Sequence, residues 1–140
     1  MEIRSIGIIG AGQMGNGIAH VMALAGYKVS LMDISQDRLT RGLDQIASNL
    51  KRQVISAKIT AAQKATALTQ IATTLDLATI GTADLVIEAA TEDESIKQAI
   101  FDQLVPHLQP HTILTSNTSS ISITRLASRT DRPEKFMGFH

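Results

Sequence analysis

Apolar residues recur along this chain in two rhythms that take turns. Residues 3–9 are a short β-branched run closed by glycine, which predicts a buried strand. Residues 14–25 read as a helix stopped by Gly26. Residues 28–33, "KVSLMD", predict a second strand. Leu39, Leu43, Ile46, Leu50 and Val54 then recur every three or four positions, an amphipathic stripe for which Ser35 or Asp37 is the candidate cap. Thr60 and Gln63 stand at capping-box spacing and open another helix. Residues 72–75 are a weak strand candidate and residues 84–89 a strong one. Ile96, Ile100, Leu104 and Leu108 mark one more helix face. Residues 112–116 predict a fifth strand and residues 136–139 a sixth.

Strands that alternate with helices need crossover connections, and crossovers make a parallel sheet covered on both faces. Six such strands predict an α/β fold, a Rossmann-like doubly wound domain filling residues 1–140 with no room for a second domain. Composition agrees with a cored globule, since 44% of residues are hydrophobic. Thirteen basic residues balance thirteen acidic ones, so bulk charge gives no reason to expect nucleic acid as a partner. Gly10, Gly12, Gln13, Gly15, Asn16 and His20 interrupt the apolar N-terminal stretch, which argues against both a signal peptide and a membrane span. The chain has no cysteine, so thiolate nucleophiles, disulfides and cysteine-ligated metals are excluded. That composition suits a reducing compartment, and a cytoplasmic protein is expected.

The chemistry begins at Gly10-Ala11-Gly12-Gln13-Met14-Gly15, a G-x-G-x-x-G pattern placed between a predicted strand and a predicted helix. In that context Gly10 permits a tight turn, Gly12 lets a pyrophosphate approach the backbone, and Gly15 lets helix and strand pack closely. The amides and dipole of the helix mouth favour the phosphate charge. Asp33 ends the second strand, eighteen residues after Gly15. A carboxylate there can accept hydrogen bonds from the hydroxyls of an adenosine ribose and repel the extra phosphate of NADP, so NAD is the expected cofactor. Two polar loops follow the later strands: "EAATED", with Glu88, Glu92 and Asp93 ahead of Lys97, and "SNTSS", residues 116–120. Asp93 and Glu94 also suit the mouth of the next helix. The small polar groups of the second loop suit either a cap or contacts to nicotinamide, ribose and substrate.

"IGIIGAGQMGNGIAH", "DLVIEAATED", "SNTSS" and "FMGFH", in this order, resemble the cofactor-binding half of the 3-hydroxyacyl-CoA dehydrogenases, most of all the short-chain 3-hydroxybutyryl-CoA type. The resemblance runs over essentially the whole chain. It implies reversible hydride transfer between the C3 hydroxyl of a 3-hydroxyacyl-CoA and NAD. It makes Met14 part of the cofactor turn and Asp33 the ribose ligand. Glu92 and Lys97 become contacts near the nicotinamide, Asn117 a member of the active-site loop, and Ser119 a residue touching both substrate and cofactor. His140, twenty-one residues after Ser119, becomes the catalytic acid/base. Lys51 and Lys58 are candidates for the coenzyme A phosphates, or else belong to a solvated basic face. The family commonly has asparagine where this chain has Asp93. Its motif also continues past the histidine to a glutamate that orients the imidazole, and then to a helical domain that completes the substrate site and forms a dimer. A histidine without that partner is poorly oriented. The 140-residue chain is therefore expected to bind NAD(H) and to turn over negligibly. A strand beginning almost at Met1 favours the short form of the family over a multifunctional one.

Two other readings stay open on the residues alone: another two-domain hydroxy-acid dehydrogenase using NAD or NADP, or a nucleotide-binding module without catalysis. Of the remaining histidines, His20 suits a polar helix surface or a packing role. His107 and His111 have Pro110 between them, so no metal site is expected there.

Overall fold

The computed structural model describes residues 2–117, 127 and 130–139. Six strands make one sheet: β1 (Ser5–Ile9), β2 (Lys28–Met32), β3 (Ile71–Thr74), β4 (Leu85–Glu88), β5 (Ile113–Asn117) and β6 (Phe136–Phe139). The strand order is β3-β2-β1-β4-β5-β6, and every neighbouring pair is parallel. The helices are α1 (Gln13–Leu24), α2 (Gln36–Ile55), α3 (Ala61–Thr69), α4 (Leu77–Ile80) and α5 (Glu94–Leu104). This is the predicted doubly wound fold.

Alternation within the strands divides the core. Ile6 and Ile8 of β1 and Ile87 of β4 pack with Ile18 and Ala19 of α1, Leu39, Ile46 and Leu50 of α2, and Ala67 of α3. Ile9 of β1, Val86 of β4 and Leu114 of β5 pack on the opposite face with Ile80 of α4 and Phe101 and Leu104 of α5. A strand covered on both faces has no solvent side to keep polar, which explains the unbroken apolar runs at the sheet centre. His20 is buried, and its Nε2 lies 2.7 Å from Gln53 Oε1, so it ties α1 to α2; its role is packing.

The predicted caps take their places. Ser35 caps α2, its Oγ accepting from Arg38 N. Thr60 and Gln63 form both bonds of the capping box at α3. Two local readings are corrected. The stripe ending at Leu108 does not stay helical, because Pro106 has no N–H to return to the carbonyl a turn earlier. Val105–His107 is instead a 3₁₀ turn, and Leu108 packs from outside the helix. The weak strand comes one residue earlier than expected, and the unforeseen α4 follows it, capped by Asp76.

At the N-terminal ends of the strands, Asp84 fastens three segments. Its carboxylate accepts from Arg4 N at 2.9 Å and Ser5 N at 3.2 Å, and His111 Nε2 lies 2.8 Å from it. The Arg4 amide, followed by the His111 hydrogen bond, lowers the Asp84 carboxyl from 3.8 to about 2. A depressed folded-state pKa gives stability that is complete above the usual carboxylate value and is lost as pH falls towards about 2. Asp84→Asn is thus expected to lower the melting temperature by a few degrees at neutral pH. The gap to wild type should close as pH drops through that window, which melts across a pH series will check.

Candidate dinucleotide site

Chain connectivity reverses at β1. The segment after β1 leads to β2 and β3 on one side, and the chain later crosses to β4 on the other. In open α/β sheets the crevice at such a reversal, outside the carboxyl ends of the strands, receives ligands. Here the two loops meet at Gly10, whose φ is +107°. A Cβ on Gly10 would fall 2.7 Å from Ala90 Cα and 2.8 Å from the Ala89 carbonyl. Glycine is needed both for that backbone conformation and for the close approach.

A cleft of ≈ 930 Å³ opens over this turn, lined by Gly10, Gly12, Gln13, Asn16, Asp33 and Gly42 among others. A Cβ on Gly12 would meet nothing within 4 Å, so the cleft comes directly to its backbone. Gly15 faces the other way: a Cβ there would lie 1.7 Å from Gly10 O. Met14 is half exposed on the first turn of α1. The mouth of α1 has no side-chain cap and no acidic residue in its first turn. Each of the other four described α-helices is capped by a side chain, from Ser35, Thr60, Asp76 and Asp93. The first amides of a helix need acceptors from outside it. At α1 alone among these helices that need is left to the cleft, where an anion would also meet the positive end of the dipole.

Asp33 is 6% exposed and held from two sides. Ala11 N donates to Oδ2 at 2.9 Å, and Ile34 N donates to Oδ1 at 2.7 Å. It does not cap α2, since Ser35 does. A carboxylate has about four acceptor positions, so two amides orient it and leave lone pairs for ribose hydroxyls. Asp33→Asn is expected to weaken NADH binding about tenfold, because one amide oxygen cannot replace both acceptors. Calorimetry checks this. A second cavity of ≈ 800 Å³ adjoins Asp33 and Arg38 and is walled by Ile34, Leu75 and Ile96, each more than half exposed. A flat apolar ring next to the ribose position would cover these side chains.

The other predicted residues are placed as follows. Lys97 is fully buried, its ammonium paired with the carboxylate of Glu88 at the end of β4 and donating to Asn117 O at 3.1 Å. Two further donors reach the Glu88 carboxylate, Ser116 Oγ at 2.7 Å and Ala90 N at 2.8 Å. Lys97 thus stands behind the strand ends, with no face on the cleft. Glu92 is exposed beside the cap of α5, where Asp93 accepts from Ile96 N. Asn117 closes β5 and is partly buried. Lys51 and Lys58 are exposed and do not line the cleft. Ser119 and His140 lie outside the described residues. No group of three metal-ligating side chains occurs among the described residues, and no helix among them is long and apolar enough to cross a membrane.

Sequence reasoning missed Gly42. A Cβ there would sit 2.9 Å from Ala11 O, so α2 packs directly on the glycine turn. A glycine in the middle of an otherwise good amphipathic helix was the available signal.

An uncapped helix mouth at the sheet's reversal, with an oriented carboxylate at the end of β2, defines a dinucleotide-binding domain of the Rossmann class. The family model for the NAD binding domain of 3-hydroxyacyl-CoA dehydrogenases matches residues 5–140, and the chain belongs to that family. It is 53% identical over 138 residues to a 3-hydroxybutyryl-CoA dehydrogenase of Bradyrhizobium diazoefficiens, covering 99% of this chain and 47% of the relative. It is 42% identical to a 3-hydroxyadipyl-CoA dehydrogenase of Escherichia coli, covering 100% of this chain and 30% of that one. The crystal structure of the (S)-3-hydroxybutyryl-CoA dehydrogenase of Ralstonia eutropha superposes with a TM-score of 0.96 at 43% identity, covering 99% of this chain and 49% of that one. The chain therefore spans about half, or less, of the length of these relatives.

Proposed function

We propose that this chain is the NAD-binding part of an enzyme that interconverts a 3-hydroxyacyl-CoA and the 3-ketoacyl-CoA, with 3-hydroxybutyryl-CoA as the substrate. The observation that carries the reading is the α1 mouth, uncapped by any side chain and lining the same cleft as Asp33. The higher identity to a 3-hydroxybutyryl-CoA dehydrogenase than to a 3-hydroxyadipyl-CoA dehydrogenase supports the short acyl chain.

Bound NAD supplies the acceptor for the hydride that leaves C3. The residues of the chain do the rest. The amides at Gly12 to Met14 hold the diphosphate, and Asp33 holds the adenosine ribose. Ile34, Leu75 and Ile96 shield the adenine. Lys97 fixes the Asn117 carbonyl and so the end of β5 that leads to Ser119, the residue assigned to orient the substrate. Glu92 lies on the nicotinamide side. His140 takes the hydroxyl proton, a task suited to a group whose ordinary pKa is about 6.5. Lys51 and Lys58 meet the coenzyme A phosphates. A glutamate beyond the histidine orients the His140 imidazole, and a further helical region closes the substrate side and joins two copies of the protein. The setting is the cytoplasm, which the cysteine-free composition suits.

Acetoacetyl-CoA-dependent NADH oxidation tests this division of labour. The 140-residue chain is expected to bind NADH and show negligible turnover, with activity appearing when the helical region is supplied. Full turnover by the chain alone would contradict the division, and absence of NADH binding would contradict the whole reading.

A further inference from the structure

Arg38 stands where the two cavities meet. It lines both, and its side chain is 58% exposed. Its Nη1 lies 3.9 Å from Asp33 Oδ1, the oxygen that also accepts from Ile34 N. The neighbouring Arg41 lines the first cavity but is engaged with Asp37 at 2.9 Å. Arg38 has the long ion-pair distance and the exposure of a guanidinium that can swing towards a ligand.

We infer that Arg38 sets the selectivity of the ribose position. Asp33 alone would repel a 2′-phosphate, as the carboxylate at this position does in NAD-selective sites, whereas an arginine nearby accommodates that phosphate. Here both groups share one site. The guanidinium offsets part of the Asp33 charge and offers a planar fork of donors to a phosphate monoester. The site therefore prefers NADH but retains measurable affinity for NADPH, and Arg38 is the residue that keeps that affinity. This rests on the dinucleotide reading above and extends it from which cofactor is bound to how sharply the alternative is refused.

The test is calorimetric titration of the wild-type chain and of Arg38→Ala with NADH and, separately, NADPH. The substitution leaves the Arg38 amide that Ser35 uses to cap α2, and an exposed side chain is removed, so the fold is retained. Arg38→Ala is expected to weaken NADPH about tenfold, the worth of about 1.4 kcal/mol, and NADH by less than about twofold. Arg38→Lys, which keeps the charge and loses the fork, is expected to fall between the two. Equal weakening of both dinucleotides would overturn the inference and make Arg38 a platform for the shared adenine. Unchanged NADPH affinity, or no NADPH binding by wild type beside normal NADH binding, would overturn it while leaving the NAD reading intact. Failure of wild type to bind NADH would remove both.

Discussion

Gly15→Ala is expected to lower the melting temperature by about 10 °C and to remove measurable dinucleotide binding. The added methyl would lie 1.7 Å from the Gly10 carbonyl oxygen, so it meets backbone rather than a side chain that can turn away. The helix must shift off β1 or the turn must open. Overpacking of this kind costs about 3 kcal/mol, which for a domain of this size is about 10 °C. Gly12→Ala is the informative partner. Its methyl meets nothing within 4 Å, so the melting temperature should hardly change. The methyl would project into the space a diphosphate needs, so NADH affinity should drop by about two orders of magnitude. Scanning fluorimetry and calorimetry on the pair separate the glycine that builds the turn from the glycine that admits the ligand. Equal melting losses in both variants would contradict that assignment.

Lys97→Met is expected to cost about 3–5 kcal/mol, enough to threaten a domain whose whole stability is about 5–15 kcal/mol. Lys97 and Glu88 are both fully buried, and removing the ammonium leaves a carboxylate enclosed without its counter-charge. Ser116 Oγ and Ala90 N still donate to it, but neither carries charge. In a Glu88→Gln background the same substitution should cost markedly less, because the stranded charge is gone. Denaturant melts of the two single variants and the double variant give the coupling directly. The Asn117 carbonyl loses its donor in either background, so NADH binding should recover less than stability does. Additive losses across the cycle would mean that the pair is not coupled.

Features set by neighbours along the chain are legible in the amino-acid sequence. The strand, glycine turn and helix around Gly10 to Gly15 depend on a few consecutive residues, as do the capping box at Thr60 and the caps Ser35 and Asp93. Asp33 is legible too, because its distance from the turn is a consequence of one helix and one strand. The Glu88–Lys97–Ser116 cluster is not, since β4, α5 and β5 come together only once the strand order is known. Resemblance can name Lys97, but its enclosure behind the strand ends follows only from the fold. Gly42 answers to Ala11, thirty-one residues away, and Arg38 acquires a role only where both cavities meet. The helix α4 escapes because four residues, Leu77 to Ile80, are too few to display a helical period.

A crystal structure of the chain with NAD bound is the most direct measurement. The diphosphate should lie against the amides of Gly12, Gln13 and Met14 at the mouth of α1, with the adenosine ribose hydroxyls on Asp33 and the adenine over Ile34. A dinucleotide bound elsewhere, or a cleft left vacant at saturating NAD, would contradict the claim that this helix mouth is built for a ligand.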